Sequence, residues 1–204
     1  HVAHNAAWIG EAARVVGAAS RGETPAPGPE DTELNPVVFA AQQHQPWPAV
    51  LADLQAANAA LTAALTACSE SDLTDPARFP WREGSALWME AFVSGYDHPA
   101  EHWAQFYQDA GDRARATAVY EQAVVTARQS IAGTTAHGYM LYKLGGLLVQ
   151  TGRPAEALPL IREALANVPR LRAWSQEDPD LAALHGDPAF QALVAEPAGG
   201  PVPA

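Results

Sequence analysis

The residues best suited to chemistry are His98 and His102, four apart in the segment YDHPAEHW. On a helix that spacing stacks two imidazoles on one face. A third imidazole from a neighbouring helix would complete three nitrogen ligands and leave a coordination position open. That arrangement lets a metal activate water or a thiol. Pro99 lies inside the pair, where its ring and missing N–H predict a bend or a fresh helix start. Glu101, beside His102, is either a partner for an imidazole or a solvated charge. The competing reading makes both histidines ordinary surface or interface residues. Cys68 is the sole cysteine and falls on an apolar helical seam, which favours a buried structural thiol over a nucleophile. Ser, His and Asp occur at no triad spacing, and Gly-x-Ser-x-Gly, phosphate loops and Gly-x-Gly-x-x-Gly are missing. Trp8, Trp81, Trp88 and Trp103 read as core and loop anchors, or alternatively as the roof of a small-molecule pocket.

The chain has 204 residues, enough for one or two domains, and a formal charge of −11 from 23 acidic against 12 basic side chains. Such a surface repels phosphate backbones and anionic bilayers, so nucleic acid and membranes are not expected partners. A single cysteine excludes an internal disulfide and suits a reducing cytosol, which makes the expected location cytoplasmic. No unbroken apolar run approaches the roughly 18 residues of a membrane span.

The elements that must position these residues read as helices. Val2, Ala6, Ile9, Ala13 and Val16 recur at helical spacing over residues 1–19, without an N-cap or an initial Met, which predicts a segment upstream. Gly22 to Asn35 is Pro-, Gly- and acid-rich and reads as an exposed, mobile loop. Residues 37–45 fit no single pattern. A helix with Pro48 in its first turn is expected from Trp47 to about Cys68. Its bundle-type seam is Trp47, Leu51, Leu54, Asn58, Leu61, Leu65 and Cys68. A loop with two prolines follows over 69–82, then a helix over about 84–96 that Pro99 bends or restarts.

The clearest pattern runs from Tyr139 to Pro169. Two apolar-periodic runs, roughly 138–150 and 154–168, are divided by Gly152, with Pro154 suited to the first turn of the second. Gly145, Ala157 and Ala164 are small enough for close helix approach. Leu144, Leu148, Leu158, Ile161 and Leu165 form the stripe between. Leu144-Gly145, Gly152, Ala157, Ala164 and Pro169 together resemble a tetratricopeptide repeat (TPR). A degenerate copy spans 98–130, where Gly111, Ala116 and Ala123 repeat the relation of Gly152, Ala157 and Ala164. The period, about 41 residues, exceeds the usual 34 or so, which extra residues near 131–137 would explain. The resemblance implies a concave groove for a protein or peptide, lined by Tyr139, Tyr142, Val149 and Gln150, with His98 and His102 at equivalent positions of the earlier repeat. In the alternative, Tyr139 and Tyr142 pack on the preceding helix. The basic clamp for a C-terminal carboxylate is missing, and Lys143 is the only lysine. Asp178-Pro179 and Asp187-Pro188 predict two short capped turns in a closing segment over 173–195, with a disordered tail over 196–204.

The N-terminal half carries a second resemblance. AHNAAW with His4, the Trp-rich FPWREGSALW, and Tyr96-Asp97-His98 followed by His102 are similar to the DinB superfamily, in particular its ClbS/DfsB-like branch. The resemblance implies a four-helix bundle over 1–110, incomplete here because the first helix would precede residue 1. It also implies a divalent metal (Zn, Ni or Mn) held by His4, His98 and His102. The expected architecture is therefore all-α: an incomplete DinB-like bundle fused to TPR-like hairpins over 98–172 with terminal capping helices. The helix over 98–110 would be shared by both halves, making the junction rigid. The leading functional expectation is a cytosolic protein-interaction module. The alternative is a metal-dependent or small-molecule-modifying enzyme performing thiol transfer or hydrolysis of a reactive electrophile.

Overall fold

The structure, a computed structural model, describes residues 1–195; the expected disordered tail, 196–204, lies outside the described residues. All regular secondary structure among the described residues is helical. The chain divides into two compact units, His1–His102 and Trp103–Ala204.

In the first unit, α1 (Val2–Ser20) packs along α3 (Trp47–Thr66). Ile9, Ala12, Ala13, Val16 and Ala19 of α1 meet Leu61 of α3, with Phe79 and Leu87 closing the core. Leu54, Leu65 and Cys68 pack partly buried against this cluster, as the seam predicts. Trp47, Leu51 and Asn58 do not: Trp47 is exposed, Leu51 is half-buried but outside this cluster, and Asn58 is exposed with its amide donating to the Leu54 carbonyl. By length and mean hydropathy (1.2) α3 is apolar enough to cross a membrane, because alanines raise the average around Asp53, Gln55 and Asn58.

The expected loop over 22–35 contains the start of a helix. Here α2 spans Asp31–Gln42, running through Pro36. A reciprocal capping box nucleates it: the Glu30 carboxylate accepts from the Glu33 N–H, and the Glu33 carboxylate accepts from the Glu30 N–H at 3.3 Å. The Trp8 indole donates to Asn35 Oδ1 at 3.1 Å, tying this helix to α1. Acid and proline content concealed a cap whose partner is three residues along.

Residues 84–96 also differ from expectation. After α4 (Glu70–Thr74), a 3-10 turn (Pro80–Arg82) leads to Glu83 in the left-handed region (φ 52°). The helix starts at α5 (Trp88–Phe92), and Arg82 anchors it through Glu90 at 2.6 Å. It neither stops nor restarts at Pro99. It passes through one π turn, Val93–Asp97, into α6 (His98–Asp109). The His98 N–H donates to the Val93 carbonyl, a five-residue step. In a regular α-helix the Pro99 ring would clash with the carbonyl four residues back, and widening the preceding turn is a local remedy. Gly95 sits in this turn, where a Cβ would stand 3.0 Å from Leu61 Cδ2, so a larger residue would require the Leu61 side chain to give by a few tenths of an ångström.

The second unit begins within α6, whose residues from Trp103 onward belong to it. It continues with α7 (Arg113–Ile131), α8 (Thr135–Gln150) and α9 (Pro154–Asn167). Gly111 (φ 80°) and Gly152 (φ 82°) take the left-handed conformation that ends a helix, and Asp112 caps α7 through the Arg115 N–H at 3.0 Å. A Cβ on Gly145 would stand 2.9 Å from Ile161 Cγ1 and closer still to Cδ1, so glycine is what lets α8 and α9 touch. Ala157, Ile161, Ala164 and Leu165 are fully buried in that contact. Residues 131–137 form no long insertion: they are the end of α7, a short turn, and the first turn of α8. Beyond α9, α10 (Leu171–Ser175), a 3-10 turn (Pro179–Leu184) and α11 (Pro188–Ala195) bury Leu181, Leu184, Phe190 and Leu193. Both Asp-Pro pairs cap as read, Asp178 accepting from the Asp180 N–H and Asp187 from the Ala189 N–H.

Candidate metal centre

His4 lies in the first turn of α1, while the buried stripe of that helix turns toward α3. His98 follows the π turn directly, and His102 stands one turn later on α6. One extra residue in the preceding turn rotates everything after it by about 100° around the axis, and this sets the face on which the two histidines lie. The three rings converge, with centroids 4.9 Å apart for His4–His98, 4.5 Å for His4–His102 and 4.4 Å for His98–His102.

His4 Nε2 lies 2.7 Å from His98 Nε2, and His102 Nε2 lies 3.1 Å from the same atom. A neutral imidazole nitrogen carries one proton or one lone pair, so a single proton on His98 Nε2 can serve only one partner well. A cation at the shared point would take lone pairs from all three. Ligand nitrogens about 2.0–2.1 Å from a zinc ion lie roughly 2.9–3.4 Å from one another in octahedral or tetrahedral geometry. The observed spacing falls near that range, and one ligand atom from each histidine lies within 4.8 Å of the others. The residues therefore fit a divalent metal. Among the described residues no other group of three His, Cys, Asp or Glu converges in this way. All three histidines are half-buried.

The surroundings support this arrangement. The Trp8 ring stands edge-on to His4 at 6.3 Å, held by its bond to Asn35. Asp97, immediately before His98, is buried at 6 % exposure, while Glu101 is exposed. On an adjoining face of α1, Ala3, Ala6 and Ala7 with Val37, Val38 and Ala41 of α2 line a mostly apolar groove of about 260 Å³, which Gln42 and Asp53 also border. His1 was not singled out in the sequence, yet its Nδ1 lies 3.2 Å from His102 Nδ1. The available signal was its spacing of three from His4.

The other candidates are placed differently. Tyr142 and Val149 are buried within the second unit, and the Tyr142 hydroxyl donates to Asp178 Oδ2 at 2.8 Å. Burial, reinforced by that carboxylate, pushes the Tyr142 pKa upward and keeps the phenol protonated. Tyr139 is half-buried, its hydroxyl taking hydrogen bonds from the Arg170 guanidinium. Gln150 is exposed, with its Oε1 accepting from Gln108 at 3.2 Å. Cys68 Sγ donates to the Ala64 carbonyl at 3.5 Å, and burial followed by the nearby Asp72 charge raises its pKa, which disfavours the thiolate. Compared with known proteins, the chain matches no family model, no curated protein and no solved structure.

Proposed function

We propose that residues 1–102 form a DinB-like bundle that binds one divalent metal through His4, His98 and His102 and acts as a metal-dependent enzyme on a small molecule. The observation that carries this reading is the convergence of three Nε2 atoms from two helices on one point. An all-imidazole donor set suits zinc or nickel better than manganese, which prefers oxygen ligands. A metal held by three protein ligands supplies Lewis acidity and lowers the pKa of a bound water or thiol. The chain's own contribution is to fix three neutral imidazoles from separate turns, flank them with the Trp8 ring, and offer an apolar groove along α1 for the rest of a substrate. The reaction class is hydrolysis of, or thiol transfer to, a reactive electrophile.

Elemental analysis of the purified chain, after incubation with zinc, nickel or manganese and removal of excess, tests this directly. About one metal per chain should be retained, and His4→Ala and His102→Ala should each lose it while keeping their helical content. Absence of stoichiometric metal in the unsubstituted chain under all three conditions would refute the assignment.

A second reading gives the helical hairpins of the second unit a TPR-like peptide-docking role. It is favoured by the Gly145–Ile161 approach of α8 and α9 and by the accessible surface that Tyr139 and Gln150 retain. This role predicts peptide binding that is insensitive to chelators and weakened by Tyr139→Ala; binding unchanged by that substitution would count against it.

A further inference from the structure

His102 uses both of its ring nitrogens in contacts with other imidazoles. Its Nε2 faces His98 Nε2 at 3.1 Å, and its Nδ1 faces His1 Nδ1 at 3.2 Å, with the two rings 5.1 Å apart. The His1 nitrogen therefore meets the outer edge of His102 and stands outside the set of three ligands. An imidazole that binds a metal through Nε2 must carry its proton on Nδ1, and the group accepting that proton fixes both tautomer and ring orientation. Carboxylates, carbonyls and water usually fill this role; here a fourth imidazole stands at hydrogen-bond distance from that nitrogen.

We propose that His1 is a positioning residue for the metal centre: its Nδ1 lone pair accepts the Nδ1–H of His102, so that His102 presents a bare Nε2 to the point it shares with His4 and His98. The proton bookkeeping is closed. His102 is the Nδ1–H tautomer, and His1 is the Nε2–H tautomer with its own N–H directed away from the contact. His1 is exposed while His102 is half-buried, so the exposed ring orients the shielded one. The proposal rests on the metal reading above.

Two measurements on the full chain test it. In the metal-free protein, long-range proton–nitrogen NMR should report His102 as the Nδ1–H tautomer, shifting toward a mixture in His1→Ala. In a zinc or cobalt titration, His1→Ala should still bind one metal per chain but about 10- to 100-fold more weakly, the usual cost of removing such a partner. His1→Gln, whose side-chain carbonyl can accept the same proton, should recover most of the loss, which a general packing defect would not allow. The proposal is overturned if His1→Ala leaves tautomer and affinity unchanged within about twofold. It is also overturned if His1→Ala removes the metal as completely as His4→Ala, since His1 would then be a ligand. If the unsubstituted chain binds no metal, the metal reading falls and this proposal falls with it. If the chain binds metal and His1→Ala is silent, only this proposal falls.

Discussion

The π turn at Val93–Asp97 lets the positioning of the proposed metal centre be tested without altering any of its histidines. Deleting Val93, which is 46 % exposed and so gives up little packing, removes the extra residue and returns the turn toward α-helical geometry. Each residue of an α-helix turns the chain by about 100° and side chains end about 5–6 Å from the axis, so each ring nitrogen of His98 and His102 would swing roughly 8 Å. The present separations are 2.7 and 3.1 Å, so no side-chain adjustment would bring the rings back to His4. Metal affinity should fall by on the order of 100-fold or more, because two of three protein ligands leave together. Stability should fall as well, since Pro99 would again meet the carbonyl four residues back at a cost of about 3 kcal/mol. Combining the deletion with Pro99→Ala removes that clash. The double variant should recover most of the lost stability but none of the metal affinity. Circular dichroism and urea unfolding follow the first quantity, and isothermal titration with zinc follows the second. A folded deletion variant that binds zinc as tightly as the parent would refute the argument that helix register builds the centre.

Three further outcomes are expected. Gly145→Ala should destabilise by about 1–2 kcal/mol, overpacking against Ile161 outweighing the better helix propensity of alanine. Gly10→Ala, on α1 with nothing within 4 Å of the added carbon, should instead stabilise by up to about 1 kcal/mol; thermal unfolding of both variants checks the contrast. His137 is fully buried and neither ring nitrogen has a hydrogen bond; burial lowers its pKa, opposed by Glu163 and reinforced by Arg128. The unfolded chain therefore takes up this proton at higher pH than the folded one. Its contribution to stability is complete above about pH 6.5 and declines as pH falls from there toward the lowered folded value. His137→Leu should flatten that decline in urea midpoints measured across the range, and an unchanged slope would remove His137 as its cause. Asp178 accepts from the Tyr142 hydroxyl, the Trp174 indole and the Asp180 N–H; Asp178→Ala should cost about 1–3 kcal/mol by leaving the buried phenol without an acceptor. Asp178→Asn, which keeps a carbonyl, should cost clearly less by the same denaturant measurement.

Local sequence determined a good part of this protein. The all-helical class, the hairpin of α8 and α9, and the capped turns at Asp178 and Asp187 follow from periodicity, glycine and proline placement, and side chains bonding to their own backbone. Each depends on residues only a few positions apart. The spacing of His98 and His102 was legible for the same reason, but its effect was not. Pro99 suggested a broken helix, and the π turn that carries the helix through it is seated on α3, where Gly95 fits against Leu61, a residue 34 positions earlier. The start of α2 was hidden because acids and prolines suggest a loop until Glu30 and Glu33 are seen to cap each other. The rest was decided by tertiary structure. His4 is separated from His98 by 94 residues, and His1 from His102 by 101. Composition and local propensity carry no record of which faces of distant helices will meet. Only the packing of α1 against α3, together with the extra residue in the turn before His98, brings His4, His98 and His102 together and sets His1 against the outer edge of His102.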